Sequence, residues 1–231
     1  MFAAVLIAAL HFPVILMYHR VDVSAPPDAI SEALTVSPAQ FDAEMAVLAK
    51  RGFEAIGMDE YFLWLQQRRP VDRVVLVTFD DGYSDQYDFA VPILQRYGFS
   101  ATFFVNTRTI GSRGHLTWEE LRAMEQAGMS VEAHGVDHVD LAMLPAARQA
   151  FEIDQCVAAL QEHLRTPVLA FAYPSGAFDA ETMRLVHASG LEFGFTTDAA
   201  RRWSDSPYDL SRIRIKSGLD PSLFAKLLGV P

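Results

Sequence analysis

Short apolar runs alternate along this chain with longer segments in which apolar residues recur every three or four positions. Such runs, rich in β-branched and aromatic residues and bounded by polar ones, are typical of buried strands. The amphipathic segments between them predict helices. The predicted strands cover residues 14–18, 74–77, 101–105, 131–133, 168–172 and 193–196.

Helix start signals support the helical segments. Ser37, Pro38 and Gln40 predict an N-cap, a first turn and a capping box. Thr117 and Glu120 predict a second capping box. Further helices are predicted at residues 59–68, 146–164 and 223–228, and another is predicted to end near residues 97–98. The buried face of the 146–164 helix is predicted to include Phe151, Ile153, Val157 and Leu160.

This alternation of strands and helices predicts an α/β fold with a mostly parallel sheet. Polar clusters follow several strands directly, at their carboxyl ends. Active sites lie at that edge both in a (β/α) barrel and in an open, doubly wound sheet. The position of the polar clusters therefore does not separate these two architectures.

Composition narrows the classes of function. The net charge of the 231 residues is -10, which argues against nucleic acid as a partner and fits a neutral substrate or a product that becomes cationic. Cys156 is the only cysteine, so an intramolecular disulfide and a cysteine-type zinc site are excluded. Nothing in the sequence indicates an oligomer, and a monomer is expected.

The N-terminal residues 2–10 form an apolar run with the length of a signal-peptide core. No lysine or arginine precedes it, and it is too short to span a bilayer. Residues 1–13 are therefore either a degenerate export signal or a buried first segment, and one domain is predicted over residues 14–231.

The polar cluster with the clearest chemistry follows the strand at 74–77. Asp80 and Asp81 are adjacent there, in the stretch Thr-Phe-Asp-Asp-Gly. Two neighbouring carboxylates raise each other's pKa unless a cation is present. A metal ion bound by one of them, with the other free as a base, resolves the conflict. The alternative is a helix N-cap with a second acid beside it.

His134 and His138 supply further candidate ligands. Their spacing of four places both rings on one face if the segment is helical. Two histidines and a carboxylate form a site suited to Zn, Fe or Co, whereas an isolated pair at this spacing is more often two surface histidines. His19 follows the first strand. It is either a structural histidine or the acid that an amide hydrolase needs for its leaving amine.

These stretches resemble the polysaccharide deacetylases, the NodB-homology or carbohydrate esterase 4 family. Residues 78–82 match that family's TFDDG, residues 134–138 resemble its H-[ST]-x-x-H, and 171–176 resemble a groove-lining third motif. The general-acid histidine common near the C-terminus is missing, while residues 13–21 contain His19. That arrangement, together with residues 210–213, is similar to a circularly permuted branch that includes poly-N-acetylglucosamine deacetylases.

The resemblance implies a distorted (β/α) barrel that binds a divalent metal, with Zn expected first and Co or Ni next. It implies that a metal-bound water attacks the acetyl group of an N-acetylated polysaccharide or oligosaccharide. It also suggests the cell envelope, the periplasm or secretion, with a cytoplasmic location still open. The implied site residues are Asp80 as base, His19 as acid, Asp81, His134 and His138 as metal ligands, and Tyr173, Pro174 and Ser175 for substrate and oxyanion binding.

Four positions bear on departures from the family pattern. Gly135 stands where Ser or Thr is usual, so a looser ligand loop is expected. Ala172 stands where many members carry an arginine that orients the base, and Arg212 is the hypothesised replacement; the alternative is a surface arginine. Ser175 replaces an aromatic groove residue, although its backbone N–H remains as a candidate oxyanion donor.

Two further residues and two further functions remain open. Asp198 either orients His19 or is a solvated loop residue. Trp203 is the best aromatic candidate for a sugar contact. A related amidase acting on a small linear or cyclic amide, and an inactive glycan-binding member, are the alternatives to a polysaccharide deacetylase.

Overall fold

A computed structural model describes residues 13–67, 69, 73–198 and 206–229. Its strands are β1 (Val14–Tyr18), β2 (Arg20–Val21), β3 (Thr35–Val36), β4 (Glu54–Ala55), β5 (Val74–Phe79), β6 (Thr102–Val105), β7 (Ser130–Ala133), β8 (Ala170–Ala172), β9 (Phe193–Phe195) and β10 (Ile213–Arg214). Its α-helices are α1 (Ala29–Leu34), α2 (Pro38–Lys50), α3 (Met58–Gln66), α4 (Val91–Tyr97), α5 (Trp118–Gln126), α6 (Ala146–His163), α7 (Ala180–Ala188) and α8 (Pro221–Leu227).

The main sheet is parallel and curls into a barrel. Its order is β10-β1-β5-β6-β7-β8-β9, and β4 also pairs with β5. Beyond β9, Phe195 forms a parallel bridge with Leu210, and the chain then runs into β10, which pairs with β1. The segment from Leu210 to Arg214 therefore joins the two ends of the sheet. The predicted distorted (β/α) barrel is confirmed, and the open doubly wound sheet is excluded.

The strands bury both faces, as expected of a parallel sheet covered by helices. One apolar cluster lies inside the barrel, and Tyr61 and Trp64 of α3 belong to it. A larger cluster lies between the sheet and the surrounding helices. The interior cluster includes Ile15, Leu76, Phe104, Phe193 and Phe195.

An aromatic row supports the carboxyl ends of three neighbouring strands. Tyr18, Phe79 and Phe103 are fully buried on β1, β5 and β6, with ring centroids 5.4 Å and 4.8 Å apart in that order. Stacked pairs of this kind contribute about 0.5–1.5 kcal/mol each beyond area burial. Tyr18 and Phe79 directly precede His19 and Asp80, so the row fixes the backbone from which both candidate catalytic side chains emerge.

Most predicted helix boundaries are confirmed, but the predicted contacts of two side chains in these helices need correction. Thr117 and Glu120 form the predicted capping box. Ser37 accepts from the backbone N–H of Gln40 as predicted, but the side-chain amide of Gln40 donates to Glu44 and to the carbonyl of Lys216 instead of closing a box. Phe151 was wrongly assigned to the buried face of α6. It is 41% exposed and packs against the guanidinium of Arg148.

Three predictions fall partly or wholly outside the described residues. These are the 1–13 segment, the full 14–231 domain boundary and Trp203. Within the described residues, no helix is long and apolar enough to cross a membrane.

Candidate active site

The carboxyl ends of β1, β5 and β7 place most of the predicted site residues at one edge of the barrel. The backbone N–H of Asp80 donates to the carbonyl of Tyr18, and that of His134 donates to the carbonyl of Val105, so each strand end is tied to its neighbour. The segment that closes the barrel adds Arg212. The residues gathered at this edge are His19, Asp80, Asp81, His134, His138 and Arg212.

Asp80 and Arg212 form a buried bidentate ion pair. The two terminal nitrogens of Arg212 donate to the two carboxylate oxygens of Asp80 at 2.6 Å and 2.7 Å. Arg212 is fully buried and also donates to Thr78 Oγ1 and to the carbonyl of Thr196. Burial raises the pKa of Asp80, but Arg212 and then His134 outweigh it, so the pKa is lowered overall. The surface-arginine alternative is excluded, and Asp80 is held as an ionised carboxylate.

Asp81, His134 and His138 form a second group beside that pair. The Nε2 atoms of His134 and His138 lie 3.4 Å and 3.2 Å from Asp81 Oδ1. Burial raises the pKa of Asp81, but its hydrogen bonds with the two histidines hold it well below the usual range. The hydrogen bond with Asp81 raises the pKa of His138.

The geometry of this group fits a divalent metal. One candidate ligand atom from each residue can be chosen so that all three lie within 4.8 Å of one another. Two ligand atoms bound at tetrahedral angles to one zinc ion are about 3.4 Å apart, close to the observed contacts. His134 Nδ1 lies 2.7 Å from the carbonyl of Ala172. With a metal in the group, donation from Nδ1 to that carbonyl would leave Nε2 unprotonated and able to bind the metal in place of its hydrogen bond to Asp81.

The two histidines are not brought together by a helix, so the condition under which their spacing would place both rings on one face is not met. The chain after β7 turns through positive φ values, 84° at Gly135 and 52° at His138. Asp81 and Gly82 are likewise left-handed, with φ values of 73° and 68°. A Cβ at Gly82 would lie 3.1 Å from Val105 Cγ1, so both backbone conformation and space favour glycine there.

Glu152 holds the histidine loop that was expected to be loose. This fully buried carboxylate accepts from the backbone N–H groups of Val136 and Asp137 at 2.9 Å and 2.8 Å through Oε2. Arg148 bridges Glu152 and Asp137, at 2.8 Å and 2.7 Å. Bonds from a buried carboxylate to backbone therefore fix the loop where a Ser or Thr side chain is absent.

A sequence model of the polysaccharide deacetylase family matches residues 67–194, more than half of the chain. The chain belongs to the polysaccharide deacetylase family. The Bacillus subtilis protein named "Putative polysaccharide deacetylase YxkH" is 33% identical over 212 residues, which cover 91% of this chain and 74% of that protein. The Staphylococcus aureus poly-beta-1,6-N-acetyl-D-glucosamine N-deacetylase is 22% identical over 178 residues, which cover 71% of this chain and 61% of that enzyme.

Solved structures of deacetylases share the fold. The Streptococcus pyogenes deacetylase PplD, solved with acetate, is 31% identical and superimposes with a TM-score of 0.85 over 95% of this chain and 98% of that one. IcaB from Ammonifex degensii is 26% identical, with a TM-score of 0.79 over 94% and 97%. This polysaccharide deacetylase family member therefore shares the barrel fold of both structures over nearly their whole length.

His19 lies half-buried beside both aspartates of this family member. Burial lowers the pKa of His19, while Asp80 and Asp81 act in the opposite direction. Its Nδ1 is buried and has no hydrogen-bond partner among the described residues. Asp198 therefore does not orient the ring through a hydrogen bond to Nδ1, and its role toward His19 stays a prediction.

The third motif of the family is only partly available to a substrate. The side chains of Tyr173 and Pro174 are buried, and the hydroxyl of Tyr173 donates to the carbonyl of Tyr208. The backbone N–H of Tyr173 donates to Phe195. Ser175 is exposed in a left-handed conformation, with φ 58°. A direct sugar contact from the Tyr173 side chain is therefore excluded, and Ser175 stays a candidate.

Sequence reasoning missed two buried polar residues at this site, Glu152 and Gln86. Glu152 had a signal, because it occupies a core position of α6 next to Ile153 and one turn before Cys156. An ionisable residue in the apolar stripe of a helix indicates a specific buried partner. Gln86 had no comparable signal, since it lies in a π-helical turn (Gln86–Ala90) without a regular apolar period.

Proposed function

We propose that this family member is a metal-dependent hydrolase that removes acetyl groups from the N-acetylated sugars of a polysaccharide, with zinc as its first-choice metal. One observation carries the proposal. A buried, arginine-paired carboxylate, Asp80, directly precedes a carboxylate, Asp81, that shares a ligand-like cluster with two histidines. Amide hydrolysis needs both functions side by side, a base for water and a cation for the carbonyl oxygen.

Asp81, His134 and His138 would hold the metal. A divalent cation in such a site lowers the pKa of water and polarises a carbonyl. Asp80 is the residue we assign to take the water proton. Its lowered pKa supports this role, because the carboxylate is ionised and able to accept a proton at neutral pH. Arg212 would hold both oxygens of that carboxylate in place while the proton is transferred.

We assign His19 as the acid that protonates the departing sugar amine. It emerges from β1 next to the end of β5. Burial lowers the pKa of His19 and outweighs the opposite effect of Asp80 and Asp81, so a proton on the ring is weakly held and readily donated. The backbone N–H of Ser175 remains our candidate donor to the oxyanion.

The proposed substrate class is supported by relatives. The Staphylococcus aureus relative is named for poly-beta-1,6-N-acetyl-D-glucosamine, although this chain spans only 61% of that enzyme. Acetate, present in the PplD structure, is the product that deacetylation would release. The net charge of -10 is compatible with a polymer whose freed amines become cationic.

The deciding experiment measures acetate release from N-acetylglucosamine oligomers. Chelation should abolish release and added zinc should restore it. Asp80→Asn should lower kcat by about 10²–10⁴-fold, the usual contribution of a general base. Asp88→Asn, the same change at an exposed position eight residues later, should leave kcat unchanged.

Other outcomes separate the alternatives. Acetate or amine release only from small linear or cyclic amides would identify an amidase. Binding of metal and glycan without any turnover would identify a glycan-binding member. Full activity in Asp80→Asn would show that another group is the base.

A further inference from the structure

The side chain of Gln86 joins the backbone of the two residues assigned as acid and base. Gln86 is fully buried at the start of the π-helical turn that leads into α4. Its Nε2 donates to the carbonyl of His19 at 2.7 Å and to the carbonyl of Asp80 at 2.6 Å. One amide group therefore ties the end of β1 to the end of β5 just where both candidate catalytic side chains emerge.

We propose that Gln86 is a positioning residue that sets the separation of His19 and Asp80. The inference rests on the proposed function, because it concerns the acid and the base of that reaction. Gln86 acts through peptide groups and does not itself bind substrate. Small displacements of such groups matter, since a misplacement of about 1 Å can cost about 10²-fold in rate.

The second of these hydrogen bonds also holds the peptide that separates base from metal ligand. The carbonyl of Asp80 belongs to the peptide group between Asp80 and Asp81. Asp81 has a φ of 73°, which is unusual for a residue other than glycine and costs roughly 1–3 kcal/mol. By fixing that carbonyl, Gln86 stabilises the turn that sends Asp80 toward Arg212 and Asp81 toward the histidines.

A purely space-filling role does not account for Gln86. Its Oε1 is buried and has no hydrogen-bond partner among the described residues, which costs about 1–3 kcal/mol. An apolar side chain of similar size would avoid that cost. The two hydrogen bonds that the amide nitrogen donates to these two carbonyls are what an apolar side chain could not supply. π-helical turns such as this one are also frequent at functional sites.

The neighbouring residue, Asp85, binds the segment that follows His19 but does not reach Asp80. Asp85 accepts from the backbone N–H of Val21 at 3.0 Å and from Arg20 Nε at 2.8 Å. The turn at residues 85–86 thus holds the chain on the C-terminal side of His19 as well. Gln86 adds the cross-connection to Asp80, which Asp85 does not make within the described residues.

The test compares Gln86→Met with Gln95→Met, the same substitution at an exposed position of α4. Both proteins are loaded with zinc and assayed on N-acetylglucosamine oligomers, and unfolding in urea verifies that each is folded. Gln86→Met should lower kcat by about 10²-fold with KM unchanged. Its zinc dissociation constant, measured by calorimetry, should rise by about tenfold because the peptide before Asp81 loses its anchor. Gln95→Met should match the wild type in all three quantities.

A double-variant cycle separates positioning from general damage. If Gln86 acts through Asp80, adding Gln86→Met to Asp80→Asn should lower the residual kcat far less than it does in the wild type. Should Gln86→Met fail to fold, Gln86→Leu removes the same two donors with another uncharged side chain, and the same loss is expected.

Three results would overturn the inference. They are a wild-type kcat in a folded Gln86 variant, full additivity in the cycle, and a loss that tracks only the fraction of unfolded protein. A wild-type protein that releases no acetate from any acetylated glycan would instead overturn the proposed function, and the inference with it.

Discussion

Replacing Arg212 by methionine removes the cation that faces Asp80 inside the barrel. Methionine is close in length to the apolar part of arginine and has no donor. The change deletes both bonds to the Asp80 carboxylate, together with the bonds to Thr78 and to the Thr196 carbonyl. Asp80 stays almost fully buried, so its charge is left without compensation.

The expected loss of stability is large and depends on pH. Removing one partner of a buried ion pair typically costs about 3–5 kcal/mol, which is a substantial part of the 5–15 kcal/mol that stabilises a typical domain. In the wild type, the lowered pKa of Asp80 means that this pair stabilises the fold above the ordinary carboxyl pKa and less as pH falls through the lowered value.

Without Arg212, the effect of burial dominates and the pKa of Asp80 rises. The ionised form then costs stability at neutral pH and protonation relieves that cost. The difference in unfolding free energy between variant and wild type should therefore be greatest near pH 8 and shrink as the solution is acidified. The acidic limb of the kcat/KM profile should move to higher pH, because the base is protonated over a wider range.

The assay combines urea unfolding with the pH profile of acetate release, both with zinc present. Arg212→Lys keeps a positive charge but cannot make the bidentate contact. Its unfolding free energy and its acidic limb should therefore lie between those of Arg212→Met and the wild type. Arg184→Met, at an exposed position of α7, controls for the substitution itself. An acidic limb that does not move in folded Arg212→Met would refute the assignment of Arg212 as the partner that keeps Asp80 ionised.

Two further predictions concern buried positions around the site. Gly135→Ser should lower the unfolding free energy by about 1–2 kcal/mol through backbone strain at φ 84°, because no atom crowds a Cβ there. The control is Gly190→Ser, which carries similar strain at φ 81° in open space and away from the candidate metal ligands. Only Gly135→Ser should therefore also weaken zinc binding. Equal zinc affinities of the two variants would contradict this. Burial raises the pKa of Glu44 to about 7, so its favourable contribution to stability is complete below the ordinary carboxyl pKa and is lost as pH rises through 7. Glu44→Gln should remove up to about 3 kcal/mol of that pH dependence, measured by urea unfolding between pH 5 and 8.

Sequence patterns predicted the parts of this protein that are local. Strand ends, caps and the adjacent aspartates are encoded within a few residues, so β5, Asp80 and Asp81 could be placed directly. The histidine pair was also identified, but the backbone that brings the two rings together was not. A spacing of four would suit a helix, whereas here a turn with positive φ values at Gly135 and His138 brings them together. A glycine between the histidines was the available signal for a turn.

Contacts across the barrel could not be predicted in the same way. Gln86 reaches His19 over 67 positions of sequence, and Arg212 reaches Asp80 over 132. Neither contact leaves a periodic pattern, because Gln86 begins an irregular turn and Arg212 lies between a single bridge residue and a two-residue strand. Arg212 was proposed because the usual arginine position is occupied by Ala172 and because Arg212 follows a predicted strand late in the chain.

The closure of the barrel explains how an arginine from the far end of the chain can replace one on β8. Leu210 pairs beside β9, and β10 pairs beside β1, so the residues between them cross the gap next to the strand that precedes His19. Arg212 enters the interior from this side and meets Asp80. On the other side, the carbonyl of Ala172 lies against Nδ1 of His134. The backbone at the end of β8 thus orients a candidate metal ligand, while the closing segment supplies the charge that Asp80 requires.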